Sequence, residues 1–138
     1  MVKIILASKS KVRKEILDQN DIIVQVEPSN VDEEVIKISL LKEKSSPENI
    51  SKNLAELKAN KISQKKIGFL VLGADSVIDL NGELISKPKN REEAKNILYK
   101  LNGKKHNLIS SVCISKNGSM IWNYSDKAVL TMKSMTNE

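Results

Sequence analysis

IGFLVLGADSVIDLNGELI, residues 67–85, decides the fold class. Ile67 to Leu72 is a continuous apolar run, with Gly68 inside it and Gly73 just after it. Such a run fits a central strand buried on both faces. VIDLNGELI follows, and Asn81-Gly82 between two alternating runs is the strongest short hairpin signal available. A buried strand running into a hairpin requires antiparallel pairing within the sheet.

The flanks add helices. Upstream, Ser46-Pro47-Glu48 is a helix start, with serine as N-cap and proline at the first helical position. Ile50, Leu54, Leu57 and Ile62 then form an apolar stripe, and Lys52, Lys61, Lys65 and Lys66 sit mostly off it as a solvated face. Downstream, Asn90 caps a helix through Ala94, Ile97, Leu98 and Leu101 that stops at Gly103. Residues 107–115 and 119–132 read as two longer strands joined by Lys116-Asn117-Gly118. At the start, residues 2–7 read as a buried strand, residues 10–20 as a helix capped by Ser10, and residues 22–26 as a strand. NVDEEV, 30–35, reads as an acidic loop. Helices and strands mixed along one chain, with a hairpin in the middle, give an α/β domain with a mixed central sheet flanked by helices. No internal repeat, low-complexity segment or linker divides it. KAVLTMKSM reads as a strand, and Thr136-Asn137-Glu138 as a helix start at which the sequence stops. The expectation is a single domain over 1–138 with an uncovered patch of apolar sheet, which a homodimer would cover.

With 138 residues the chain suits one core. Residues are 40% hydrophobic but only 3% aromatic, so that core is built from Ile, Leu, Val and Ala. The net charge of +6 favours anionic partners. Single-strand nucleic-acid binding by base stacking needs several exposed rings, and Phe69, Tyr99, Trp122 and Tyr124 are too few. Cys113, in SSVCIS, is the lone cysteine, so no disulfide forms within the chain and a reducing, cytoplasmic setting is expected. The first apolar run is too short for a signal peptide, and nothing approaches a membrane span.

Four stretches could carry chemistry. In ILASKSKVRK, 5–14, a strand turns through small polar residues into a helix whose first turn carries Lys9, Lys11, Arg13 and Lys14. Helix N-termini are already positive, so these cations repel the dipole and each other. An anion resolves the conflict, and a phosphate fits the free N–H groups there; the other reading is that the side chains splay into water. In LVLGADSV, Asp75 ends a buried strand, where open α/β sheets place ligands. Such a carboxylate can hold a divalent metal or take a proton, or simply form a turn. Lys87, before Pro88, is biased to extended backbone. Asp32-Glu33-Glu34 is either a metal partner for Asp75 or a solvated loop. His106, the single histidine, reads as structural or as a support behind a site residue.

Taken in order, ILASKSKVRKEIL, VDEE, NLAELKA, GADSVIDLNGELISKP and EEAKNILYKLNGKKHNLISSV resemble the Maf family of nucleoside triphosphate pyrophosphatases over nearly the whole chain. The resemblance implies a cytoplasmic hydrolase that cleaves a (d)NTP to (d)NMP and pyrophosphate, with Mg²⁺ or Mn²⁺ as cofactor and house-cleaning of modified nucleotides as a role. It assigns substrate binding to Ser8, Arg13, Lys58 and Lys87, catalysis to Asp75, and metal binding to Asp75 and Glu33. The family motif usually continues SPRR, or SPWR in a branch acting on methylated guanine nucleotides, where this chain has Ser10-Lys11-Val12-Arg13. Ser76 stands where the thymidine and uridine branch has threonine, so the base is left open. The family also runs on through a glycine-rich C-terminal stretch beyond residue 138. A nucleotide-binding module without turnover and a basic nucleic-acid-binding protein are the alternatives.

Overall fold

Each helix starts at a side chain that caps it. In a computed structural model, which describes residues 3–85 and 88–132, Ser10 Oγ accepts from the Arg13 N–H at 3.2 Å and opens α1 (Lys11–Gln19). Asp32 Oδ1 accepts from the Val35 N–H and opens α2 (Glu33–Lys42). Ser46 opens α3 (Pro47–Lys65) through the Asn49 N–H, and Asn90 opens α4 (Arg91–Leu101) through the Glu93 N–H. Each cap satisfies one of the orphan donors of a first turn.

The α2 helix corrects the expectation of a loop at 30–35. Glu33 and Glu34 occupy its first turn, where negative charge complements the helix dipole. The acidic run is a helix start rather than a solvated loop.

The strands are β1 (Ile4–Leu6), β2 (Gln25–Val26), β3 (Leu70–Leu80), β4 (Glu83–Ile85), β5 (Lys105–Lys116) and β6 (Ser119–Thr131). They form one mixed sheet in the order β2-β1-β3-β5-β6, with β4 beside β3. β1 runs parallel to β2 and β3, whereas β4 and β5 run antiparallel to β3, and β6 antiparallel to β5. The central strand begins at Leu70 rather than Ile67 and continues to Leu80. Only Gln25 and Val26 of the expected strand 22–26 pair. The β3–β4 turn is the expected one: Leu80 pairs with Glu83, and Asn81 and Gly82 take φ of 52° and 89°, the two positive values a type I′ turn requires.

The core sits between α3 and the sheet. Ile5, Val71 and Cys113 meet Ala55, Ala59 and Ile62 there. α3 lies very close to β3 because Gly73 has no side chain: a Cβ at that position would stand 2.3 Å from the Ala55 carbonyl oxygen and 2.8 Å from the Ala59 nitrogen.

One edge of β3 positions the site. β1 pairs with Leu70, Val71 and Leu72, and β4 pairs with Ile78, Asp79 and Leu80 on the same edge. Between these, from Gly73 to Val77, the edge carries neither strand. β1 leaves at this parting, with the Ala7 N–H still donating to the Leu72 carbonyl at 2.9 Å. A crevice at the carboxyl end of a parallel strand, where neighbours diverge, is where α/β sheets accept ligands.

Candidate active site

The chain leaving β1 turns through Ser8 and Ser10 into α1. Ser8 is buried, and its Oγ accepts from the Ser10 N–H and from Arg13 Nη1, both at 3.1 Å. The arginine therefore folds back over the turn instead of pointing away from it. Lys9 and Arg13 line a cleft of about 630 Å³ together with Asn30, Asp32, Glu33 and Lys58. Two of the four cations at the head of α1 thus face a shared space; Lys11 and Lys14 do not line it, and Lys14 pairs with Asp18 at 2.9 Å on the exposed side of the helix.

Lys58 reaches that space from inside the fold. Positions 50, 54, 58 and 62 form one i, i+4 row along α3, and Ile50, Leu54, Lys58 and Ile62 are all buried. The apolar stripe of this helix thus has lysine as its third member. Leu57, expected on the stripe, is instead 41% exposed, since it lies about 100° round the helix from position 58. The periodicity itself marks Lys58 as anomalous, a signal that stripe counting by residue type passes over.

Asp75 lies on the face of β3 that meets α3, two residues beyond Gly73, and is 4% exposed. Lys58 Nζ donates to its Oδ1 and to the Ala74 carbonyl, each at 3.2 Å, and also forms an ion pair with Glu33. Ser51, buried on α3, donates to the Asp75 carbonyl at 3.1 Å. The other carboxylate oxygen, Oδ2, is buried without a hydrogen-bond partner. Burial pushes the Asp75 carboxyl above its ordinary value; the Lys58 ammonium opposes that shift, and the Glu33 charge adds to it. A buried carboxylate with a raised pKa beside a cleft is a recurrent mark of an acid–base site.

Of the residues named from the sequence, Ser8, Arg13, Glu33 and Lys58 line one cleft, and Asp75 stands directly behind Lys58. Lys87 and Thr136 lie outside the described residues. The sequence reading missed Ser29 and Asn30, which line the cleft from the loop before α2. Cys113 is buried, and its thiol is pushed up to about 11, chiefly by burial. It is therefore a packed strand residue and not a nucleophile.

The residues present suit a divalent cation in one respect. Asp75 Oδ2 is a hard oxygen acceptor, buried and unengaged, and Glu33 supplies a second carboxylate on the far side of Lys58. No group of three or more metal-ligating side chains occurs among the described residues. Mg²⁺ usually needs no such cage, binding through one or two carboxylates together with substrate phosphates.

A family-wide sequence model, that of the Maf-like proteins, matches residues 3–138. The chain belongs to the Maf-like protein family. A nucleoside triphosphate pyrophosphatase of Pelagibacter ubique (strain HTCC1062) is 72% identical over 137 residues, covering 99% of this chain and 70% of that protein. A 7-methyl-GTP pyrophosphatase of Brucella abortus biovar 1 (strain 9-941) is 34% identical over 134 residues, covering 97% of this chain and 67% of that protein. Among solved structures, a HAM1 protein from Coxiella burnetii superposes with a TM-score of 0.58 at 18% identity, over 94% of this chain and 71% of that one. That likeness bears on the fold, and it agrees with a mixed sheet flanked by helices. Among the described residues, no helix of this Maf-like chain is long and apolar enough to cross a membrane.

Proposed function

We infer that this Maf-like chain is a nucleoside triphosphate pyrophosphatase, hydrolysing a (d)NTP to (d)NMP and pyrophosphate. The observation that carries the reading is the chain Glu33–Lys58–Asp75, set behind a cleft that Arg13 and Lys9 make cationic. The cleft offers positive charge for the oxygens of a triphosphate, and Asp75, the buried carboxylate directly behind Lys58, is the group proposed to serve the attacking water. A cytoplasmic setting follows from a nucleotide pool as substrate.

Arg13 binds phosphate through the guanidinium face not engaged by Ser8, and Ser8 keeps it aimed across the turn. Lys58 offsets charge that develops on the leaving pyrophosphate. Asp75 takes a proton from water. The water oxygen bonds to the α-phosphorus, the bond from that phosphorus to the α–β bridging oxygen breaks, and that oxygen leaves with pyrophosphate. The raised pKa of Asp75 makes its carboxylate a better base than an exposed aspartate. A divalent cation, Mg²⁺ or Mn²⁺, would be held by Asp75 and Glu33. It would supply Lewis-acid stabilisation of the phosphate oxygens. Lys87, by its place before Pro88, is the expected further phosphate contact. House-cleaning of modified nucleotides is the proposed role, supported by the similarity to a 7-methyl-GTP pyrophosphatase.

The test is hydrolysis by the purified chain of common and modified triphosphates, 7-methyl-GTP among them, in Mg²⁺, with products separated and identified. Monophosphate plus pyrophosphate is expected. Release of inorganic phosphate, or no turnover on any substrate, would overturn the assignment. A second expected result concerns the cleft wall. Arg13→Ala loses a charge-assisted phosphate contact of about 1.5–3 kcal/mol, which lowers kcat/KM by roughly 10–150-fold. Circular dichroism and thermal melting of the variant should match wild type. Unchanged kinetics in the folded variant would count decisively against a phosphate site there.

A further inference from the structure

The place between Glu33 and Asp75 is held by an ammonium group. Lys58 Nζ faces a Glu33 carboxylate oxygen, Asp75 Oδ1 and the Ala74 carbonyl, and an ammonium has three donors. All three have an acceptor. The side chain is buried and belongs to the packed row of α3, so it is not a surface lysine caught in passing. The two carboxylates that suit a hard cation are thus already bridged by a cation of the protein's own. Asp75 Oδ2 is left buried and unengaged.

Charge decides what can enter. With the ammonium in place, the three side chains carry a formal charge of minus one, and an incoming divalent cation meets a like charge at contact distance. In a poorly solvated site that repulsion costs several times what it would in water. With the ammonium gone, the cation meets two carboxylates. Lys58 has somewhere to go, since it also lines the cleft shared with Arg13 and Lys9. A triphosphate lying there presents more negative charge than the two carboxylates, and the four-carbon stem lets the ammonium swing.

We propose that Lys58 is a resident counter-ion: it holds the space between Glu33 and Asp75 in the free protein and keeps bare divalent cations out. A triphosphate draws it onto phosphate oxygens as the cation enters. Metal and nucleotide then bind together, not metal first. The triphosphate half rests on the function proposed above; the exclusion of bare cation does not.

Mn²⁺ alone is the probe, with free ion read by electron paramagnetic resonance during titration of the nucleotide-free chain. Lys58→Gln removes the charge and keeps an amide donor for the Ala74 carbonyl. Lys58→Arg keeps the charge. Wild type and the Arg variant should bind Mn²⁺ weakly, and the Gln variant about 10–100-fold more tightly. Adding Asp75→Asn to Lys58→Gln should return affinity to the wild-type level. Equal Mn²⁺ affinity in wild type and Lys58→Gln would overturn the proposal. A variant-free measurement guards against misfolding of the Gln chain: anomalous density in wild-type crystals. Mn²⁺ should be absent between Glu33 and Asp75 when soaked alone and present when soaked with an α,β-methylene triphosphate, with Lys58 moved onto phosphate. Mn²⁺ seated there alone, Lys58 still bridging, would also overturn it. A chain that turns over no triphosphate yet shows the Lys58→Gln gain in affinity keeps the exclusion and loses the proposed function.

Discussion

Asp75→Asn should lower kcat by about 10²–10⁴-fold, the usual cost of removing a general base, while nucleotide affinity measured without a divalent cation stays within a few-fold. The asymmetry follows from which partners the change removes. Arg13 and Lys9 still line the cleft, where the proposed function has them hold phosphate. The asparagine oxygen can still accept from Lys58, as Asp75 Oδ1 does at 3.2 Å. What disappears is the second oxygen, Oδ2, the one atom of the site that is buried and unengaged. An amide nitrogen in its place neither takes a proton nor ligates a hard cation. A loss confined to kcat marks an interaction needed chiefly in the transition state. Steady-state kinetics at saturating Mg²⁺ would decide it. A variant that keeps more than about a tenth of wild-type kcat removes Asp75 from the role of base, and Glu33 becomes the residue to substitute next.

The same variant carries a pH signature in stability. Burial raises the Asp75 carboxyl above its ordinary 3.8 despite Lys58. Between 3.8 and that raised value, the folded chain keeps a proton that the unfolded chain has released. Stability therefore falls as pH rises across the window, and at neutral pH the ionised carboxylate is a net cost. Asp75→Asn should thus equal or exceed wild type in its urea midpoint at pH 7, with the gap closing as pH falls towards 3.8. A variant markedly less stable than wild type at pH 7 would mean that attraction to Lys58 outweighs burial. Loss of turnover with retained stability is the expected mark of a carboxylate kept for chemistry at a cost to the fold.

Local signals were legible wherever a single residue type has one conformational job. Asn81-Gly82 turned the hairpin, and Ser10, Ser46 and Asn90 capped helices where expected. The same rule was available at Asp32 and passed over, because three acidic residues in a row read as a solvated loop. The site was legible in a different way. Ser8, Arg13, Glu33, Lys58 and Asp75 were named through family motifs, yet nothing local says that Lys58 lies against Asp75, 17 positions along the chain. That contact needs β1 to leave the edge of β3 at Leu72, and it needs α3 to lie almost on the backbone of β3. Both are long-range facts. Two traces of them were on the surface of the sequence: a lysine in an otherwise apolar i, i+4 row, and Gly73, a glycine with no turn to make.

That glycine makes the other large prediction. Gly73→Ala should destabilise the chain by about 1–3 kcal/mol or more, the range for forcing extra atoms into a packed interior, and should lower turnover with it. Gly73 lies within β3 and has no positive φ to excuse it. Its role is close approach. The added Cβ would stand 2.3 Å from the Ala55 carbonyl oxygen, 2.8 Å from the Ala59 nitrogen and 2.9 Å from the Ala59 Cβ. Two of these are backbone atoms, so no side chain can swing aside, and α3 must retreat by roughly an ångström to reach van der Waals distance. Retreat carries Ser51 and Lys58 away from β3, and both hold Asp75: Ser51 Oγ donates to the Asp75 carbonyl at 3.1 Å, and Lys58 Nζ to Asp75 Oδ1 at 3.2 Å. Hydrogen bonds stretched by that much are lost, and a shift of about 1 Å in catalytic geometry commonly costs on the order of 10²-fold in rate. The two effects should therefore appear together: a lower urea midpoint with the slope unchanged, and a lower kcat in the protein that remains folded. If Gly73→Ala melts with wild type and turns over at its rate, α3 does not press on β3 there, and the account of how Lys58 comes to meet Asp75 fails with it.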